Sequence, residues 1–297
     1  MTAPSMAAVW GGRLRVALPV TRLSMREAVS RRLILIGVAL SIAFLGLFAF
    51  GFAALYRTVS AEATEDRAEV ALAASIITVL GLYIVRFLAA LLAIFLSSSA
   101  IATEIDSGLL HAVLARPLSR RSWMAQRWLA FALVTVSYVT AMTAALLAIA
   151  NIIAGYAPLD PVRAVGIMAL ELAVLLSVGM LASTTWSSVT SGVVTFCLFG
   201  VAWLAGIIEL IGDQVGNATM RTAGVVTSLV MPSDALWRGA SFYLQPPSVL
   251  LLVRSQGGAA NPFAGVAPPT TSLVVWSAGY AICLLAVAAW RMRRRDL

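Results

Sequence analysis

The sequence predicts an all-α polytopic membrane protein with six transmembrane helices, and three observations predict it. Of 297 residues, 61% are hydrophobic and only 11% charged, whereas roughly a quarter of the residues in a soluble domain are charged. The apolar residues fall into six blocks of about 20 or more, the length an α-helix needs to cross a bilayer at 1.5 Å per residue. The 21 basic residues, all arginine, are shared unequally between the segments that separate those blocks.

Residues 1–32 are basic, with Pro19 dividing them. The stretch from Thr21 to Arg32 reads as a short amphipathic helix lying on the inner leaflet, and a plain basic flank accounts for it equally well. The first span, 33–55, is preceded by arginines and followed by Ala61-Glu62-Ala63, which resembles a cleavage site. At 23 residues it exceeds the roughly 7–15 of a signal peptide's apolar region, so a retained anchor is expected. The remaining spans are 72–99, 128–153, 162–186, 189–211 and 271–290, with the polar stretch 183–192 read as a tight turn. The region 33–211 thus holds five spans and a loop at 100–127, and 271–297 holds the sixth span and a basic tail.

Six spans put both termini on one side. That side collects Arg13, Arg15, Arg22, Arg26, Arg31, Arg32, Arg116, Arg120, Arg121, Arg127, Arg291, Arg293, Arg294 and Arg295, and is therefore expected to be cytoplasmic. Trp123, Trp128, Trp186 and Trp290 suit anchors at the inner interface, and Tyr56 and Tyr156 at the outer. The outer segment 212–270 is too long for a bare connection. Its apolar pieces, 225–231 and 250–253, are too short to span and are expected to dip into the outer leaflet or cap the bundle. Between them Ser233 or Asp234 could cap a helix running through Trp237 and Phe242 to Gln245.

Composition excludes several chemistries. With no lysine there is no P-loop and no Schiff-base amine. The chain is expected to bind no ATP, and any ATP and Mg would belong to a partner subunit. His111, Cys197 and Cys283 are too few and scattered for a His/Cys metal site, and the cysteines read as small buried hydrophobes. Ten dispersed methionines form no soft-metal run. No metal site, resident cofactor or nucleic-acid partner is expected.

The most informative stretch is the loop IATEIDSGLLHAVLARPLSRRSWMAQR, residues 101–127. Glu104 and Asp106 precede Gly108, and Leu109, Leu110, Val113 and Leu114 then recur at helical spacing. Arg116 and Pro117 end that turn, and Ser119 is placed to cap the next helix. An apolar face rimmed by charge suits insertion into a groove on a partner. His111 reads as an interface or solvated residue.

In this order the motifs resemble the cytoplasmic loop of the type-2 ABC exporter permeases. The basic run Arg22 to Arg32, Met231-Pro232, Asp234-x-x-Trp237-Arg238 and the terminal Arg293-Arg294-Arg295-Asp296-Leu297 are similar to the subgroup near multicopper-enzyme and nitrous-oxide reductase maturation genes. The resemblance implies that Glu104, Gly108, Leu109, Leu110, Arg116, Pro117, Ser119 and Arg120 dock on a separate ATP-binding cassette ATPase subunit. It also implies pairing with a second copy or a related permease, and a multi-pass location in a bacterial-type inner membrane.

Two charges sit inside spans: Arg86 and Glu171. Each costs about 2.5–3.5 kcal/mol at the bilayer centre on insertion scales, so each is expected to face the bundle interior. Counting residues from the outer ends gives them similar depth, so they can meet as a structural ion pair or line a translocation path. Glu209 and Asp213, four apart at the outer end of span five, share a helix face and could form an acidic mouth.

The leading expectation is the permease subunit of an ATP-driven exporter. A stand-alone secondary transporter or channel using Arg86 and Glu171 is the rival, weakened by few intramembrane charges and no evident inverted repeat. An intramembrane enzyme is weaker still, since no metal set or nucleophile–base pair is legible. The rigorously purified chain should hydrolyse no ATP, and phosphate release that follows the chain through purification would overturn this expectation.

Overall fold

A computed structural model describes residues 32–62, 67–100, 120–255 and 263–294. The described residues are almost wholly helical. In chain order the helices are α1 (Arg32–Glu62), α2 (Arg67–Ser98), α3 (Arg120–Ala154), α4 (Pro161–Ser183), α5 (Ser188–Val215), α6 (Ala218–Val230), α7 (Ser233–Leu244), α8 (Pro247–Ser255) and α9 (Thr271–Arg294). Six of them, α1 to α5 and α9, are long and apolar enough to cross a bilayer. They coincide with the six predicted spans, although α1 and α3 extend a further turn or two beyond the apolar blocks.

The boundaries follow from local chemistry. At the start of α4, Asp160 accepts from the Arg163 amide at 3.0 Å and Pro161 takes the first helical position, where its missing N–H would have been unpartnered anyway. The turn at 184–187 ends with Ser187 capping α5 through the Thr190 amide. At the far end of α5, Gly216 adopts φ +72°, a left-handed conformation that only glycine enters without penalty. Asn217 immediately caps α6 by accepting from the Thr219 and Met220 amides. A helix stop followed at once by a helix start reverses the chain, so α6 folds back along α5.

Helices α2 and α4 form the centre. Helix α4 packs against α2, α3, α5, α7 and α9, and α1 covers α2 and α3 from outside. On α2 the buried positions Val79, Leu82, Arg86, Ala89, Ala93 and Ser97 recur every three or four residues, which defines the stripe facing α4. The small residues in that stripe admit close helix approach, the main source of attraction between helices in lipid. Hydroxyls add cross-links: Ser41 to Tyr138 at 2.6 Å joins α1 to α3, and the Trp128 indole N–H donates to Ser177 at 3.1 Å between α3 and α4. Phe44, Phe48, Phe52 and Tyr56 stack down α1, with centroids 6.3, 5.4 and 6.2 Å apart.

The segment after α5 is a re-entrant hairpin. Helix α6 descends beside α5, Met231 and Pro232 turn the chain, and α7 climbs back to the link between α3 and α4. There the Leu159 and Asp160 amides donate to the carbonyls of Gln245 and Tyr243 at 3.0 and 2.9 Å. The Tyr156 hydroxyl donates to the Leu244 carbonyl at 2.8 Å. Tyr156 is therefore buried, with its phenol pushed above the usual range by burial, and does not serve as the exposed anchor expected of it. Two further expectations are corrected. Pro232 precedes α7 and no side chain caps it, because Asp234 is engaged elsewhere and the Ser233 hydroxyl has no partner among the described residues. Cys197 and Cys283 lie on exposed faces of α5 and α9, where lipid is as apolar a surrounding as a core.

The segments 1–31 and 101–119, which hold the expected amphipathic helix and the loop helix with His111, lie outside the described residues.

Helices α2 and α4 touch tightly at Gly179, where an added Cβ would meet Ser97 Cβ at 2.7 Å and its hydroxyl closer still. Gly179→Val should therefore destabilise the bundle by about 1–3 kcal/mol through overpacking. Thermal unfolding in detergent checks this: an unchanged midpoint would mean the two helices separate without cost.

Candidate functional site

The centre of the bundle holds a chain of charges built from four helices. Arg86 on α2 donates from Nε to Glu171 Oε1 on α4 at 2.8 Å, with side-chain exposures of 3% and 2%. Its Nη2 donates to the Ser233 carbonyl at 3.1 Å, and Nη1 lies 3.9 Å from Asp234 Oδ1. Asp234 in turn accepts from Arg238 Nε at 3.0 Å through its other oxygen. Arg238 lies 3.7 Å from Glu209 Oε2 on α5 and also donates to the Gly206 carbonyl. The order is Glu171, Arg86, Asp234, Arg238, Glu209.

The arrangement answers a solvation problem. An arginine stays charged under all ordinary conditions, and a guanidinium at the bilayer centre needs substitutes for water. Glu171, Asp234 and the Ser233 carbonyl supply acceptors. Tyr83, Phe199 and Trp237 supply ring faces, with centroids 5.3, 5.2 and 5.4 Å from Arg86 Cζ, a geometry in which desolvated cation–π contacts reach about 2 kcal/mol. The first turn of α7 also places the positive end of its backbone dipole beside the Asp234 carboxylate.

The re-entrant backbone meets the same constraint. Non-helical backbone at membrane depth persists only where protein partners it. Pro232 has no N–H to satisfy, its carbonyl accepts from the Leu236 amide at 2.9 Å, and the Met231 amide donates to the Thr227 carbonyl at 2.9 Å. On the α5 side a Cβ on Gly206 would collide with Asp234 and with Arg238 Nη2 at 2.5 Å. The bare backbone of Gly206 is what lets the α7 charges close on α5.

Arg86 and Glu171 are thus brought together at matching depth. Glu209 and Asp213 turn to different arginines, Glu209 to Arg238 and Asp213 to Arg221 at 3.4 Å, so the outer end of α5 carries two ion pairs. Sequence reading gave Asp234 a possible capping role and placed Arg238 in a motif of the outer segment, and did not join either to the intramembrane pair. The signal that could have recovered them is their i,i+4 spacing on one helix face with Trp237 between them. Glu104, Gly108, Leu109, Leu110, Arg116, Pro117 and Ser119 lie outside the described residues, and Arg120 opens α3. Among the described residues no group of three or more His, Cys, Asp or Glu side chains is placed to hold a metal ion.

The fold, six apolar helices with a charged seam and a hairpin between the fifth and sixth, is that of a polytopic membrane protein. The family model described as ABC-2 family transporter protein matches residues 18–297. The chain belongs to the ABC-2 transporter family. No curated protein matches it. Membership makes this permease a membrane subunit of an ABC transporter, a class in which the permease is not itself the ATPase and a partner ATP-binding subunit is the general rule. The match runs through the whole re-entrant hairpin and all six long helices.

Removing one end of the Arg86–Glu171 pair should not equal removing the other. Arg86→Met strands Glu171, whose one close counter-charge among the described residues it is, and should cost about 3–5 kcal/mol. Glu171→Gln should cost less, because Asp234 remains 3.9 Å from Arg86. The double variant should be more stable than Arg86→Met alone. A double-mutant cycle by thermal unfolding measures this, and simple addition of the two losses would refute the pairing.

Proposed function

We propose that this ABC-2 permease is the membrane subunit of an ATP-driven exporter, working as two permease copies with two separate ATPase subunits. The observation that carries the reading is the family match over residues 18–297. The docking element is the loop between the second and third spans. Glu104, Gly108, Leu109, Leu110, Arg116, Pro117, Ser119 and Arg120 are the residues of that loop that engage a groove on the ATPase. ATP and Mg are held by that partner. The arginine-rich face is cytoplasmic by the positive-inside rule, which puts both termini inside and the re-entrant hairpin in the outer half of a bacterial-type inner membrane. The order of the motifs around Gly108, Pro117, Met231 and Trp237 relates the chain to the permeases near multicopper-enzyme and nitrous-oxide reductase maturation genes.

Charged residues at the rim of a docked helix orient it and transmit its motion, while adding little to span insertion. Glu104→Ala and Arg116→Ala should therefore leave expression and membrane insertion intact and cut export per ATP hydrolysed by about tenfold or more, the effect of losing at least 1.4 kcal/mol of coupling. The measurement is co-purification of the permease with an ATP-binding cassette subunit, followed by transport and hydrolysis in the same vesicles. Wild-type coupling in both variants would reject the docking role, and failure to recover any such subunit would reject the exporter reading.

A further inference from the structure

The contacts along the charge chain alternate in length: 2.8 Å from Glu171 to Arg86, 3.9 Å from Arg86 to Asp234, 3.0 Å from Asp234 to Arg238 and 3.7 Å from Arg238 to Glu209. Three carboxylates share two guanidiniums, and since arginine cannot give up its proton, one carboxylate is always in surplus. In the arrangement present, the two short contacts occupy Glu171 and Asp234. The surplus charge therefore lies at Glu209, whose side chain is 24% exposed.

A second register is close at hand. Shortening the two long contacts instead would pair Arg86 with Asp234 and Arg238 with Glu209, leaving Glu171 in surplus. Bringing the 3.9 Å contact to the 3.0 Å of a formed pair needs a shift of 0.9 Å. Asp234, Arg238 and the Ser233 carbonyl all sit on α7, so one small displacement of that helix changes both long contacts together, and side-chain rotations of Arg86 and Arg238 exchange the two short ones. Glu171 would then be an uncompensated carboxylate with 2% exposure at the middle of a spanning helix, a position in which the charged form is not sustained.

We propose that Glu171 is a proton-binding site, and that the five-residue chain has two registers, one with Glu171 ionised on Arg86 and one with Glu171 protonated while Arg86 holds Asp234. The step is proton binding alone: the Glu171 carboxylate takes one proton from bulk water to become a carboxylic acid, no electrons move, and the chain goes from net −1 to neutral. The charged groups acting on Glu171 are Arg86 of α2 and Asp234 of α7, with the Tyr83 phenol of α2 beside them. The other helices packed on α4 keep their charges at the ends: Arg120, Arg121 and Arg127 on α3, Arg291, Arg293 and Arg294 on α9, Glu209 and Asp213 on α5. Helix α4 itself carries only Arg163 in its first turn. A proton that binds one register alone shifts the balance between them by up to tenfold per pH unit.

The proposal concerns this chain alone, and its test needs no partner subunit. The full chain in lipid nanodiscs is stepped from about pH 9 to about pH 5, either side of most perturbed carboxyl values, and infrared difference spectra are taken in H2O and D2O. The expected result is one carboxylic C=O band that grows on acidification, moves in D2O and is missing in Glu171→Gln. In Glu209→Gln the surplus charge is gone and each guanidinium keeps its carboxylate, so the band should leave the window although Glu209 is two arginines away. No band in the wild type, a band surviving in Glu171→Gln, or a band unmoved in Glu209→Gln would each overturn the proposal. A structure of the unaltered chain at the acidic end needs no variant: Arg86 should lie closer to Asp234 than to Glu171, and a retained 2.8 Å contact to Glu171 would overturn it as well.

Discussion

Much of this structure follows from one arginine that must remain charged where there is no water. Placing Arg86 in the α4-facing stripe of α2 obliges the fold to bring acceptors to it, and a single carboxylate on α4 leaves most of its five donors unmet. Helix α7 supplies a second acceptor and a second counter-charge. The hairpin of α6 and α7 can enter the bundle because its apex has little backbone polarity to satisfy, and it stays there because the Ser233 carbonyl and Asp234 complete the shell around Arg86. Ion pair and hairpin thus support each other: without α7 the arginine is under-solvated, and without the arginine the start of α7 is an unexplained polar intrusion.

The spans and their order were legible because length and hydropathy are imposed directly by the bilayer. The turn at 184–187 was legible for the same reason, since a polar run between two apolar blocks can only lie at an interface. The Arg86–Glu171 pair could be anticipated by counting residues, because helices of regular rise convert position into depth. The same counting failed for Asp234 and Arg238. Their segment is too short to span, so residue number does not convert into depth along it, and nothing in a hydropathy profile distinguishes a helix that enters a bundle and leaves by the same face.

Burial inside the membrane was the other weak point. In water, apolar residues mark the buried face of a helix. In lipid every face is apolar, so Cys197 and Cys283 could not be assigned a side from their neighbours, and Tyr156 resembled an interfacial anchor although the end of α7 covers it. The glycines were more informative than the sequence reading recognised. Gly206 faces Asp234 and Arg238, and Gly216 reverses the chain, so two residues without side chains set where the hairpin begins and how deep it lies. The family match joins these features, since it runs unbroken through the spans and the hairpin alike.

The hairpin also affects how the protein sits in its membrane. Helices α6 and α7 add cross-section to only one half of the bilayer thickness, and α6 turns Val225, Val226, Leu229 and Val230 outward, so that half of the described molecule displaces more lipid than the other. A body wider in one leaflet is a wedge. Its fit depends on the lateral pressure and spontaneous curvature of the lipids around it, and any motion that lifts α7 out of the bundle changes the area it occupies in one leaflet while leaving the other unchanged. Lipid shape thereby becomes a thermodynamic variable for the position of a helix that also carries two of the five charges at the protein's centre.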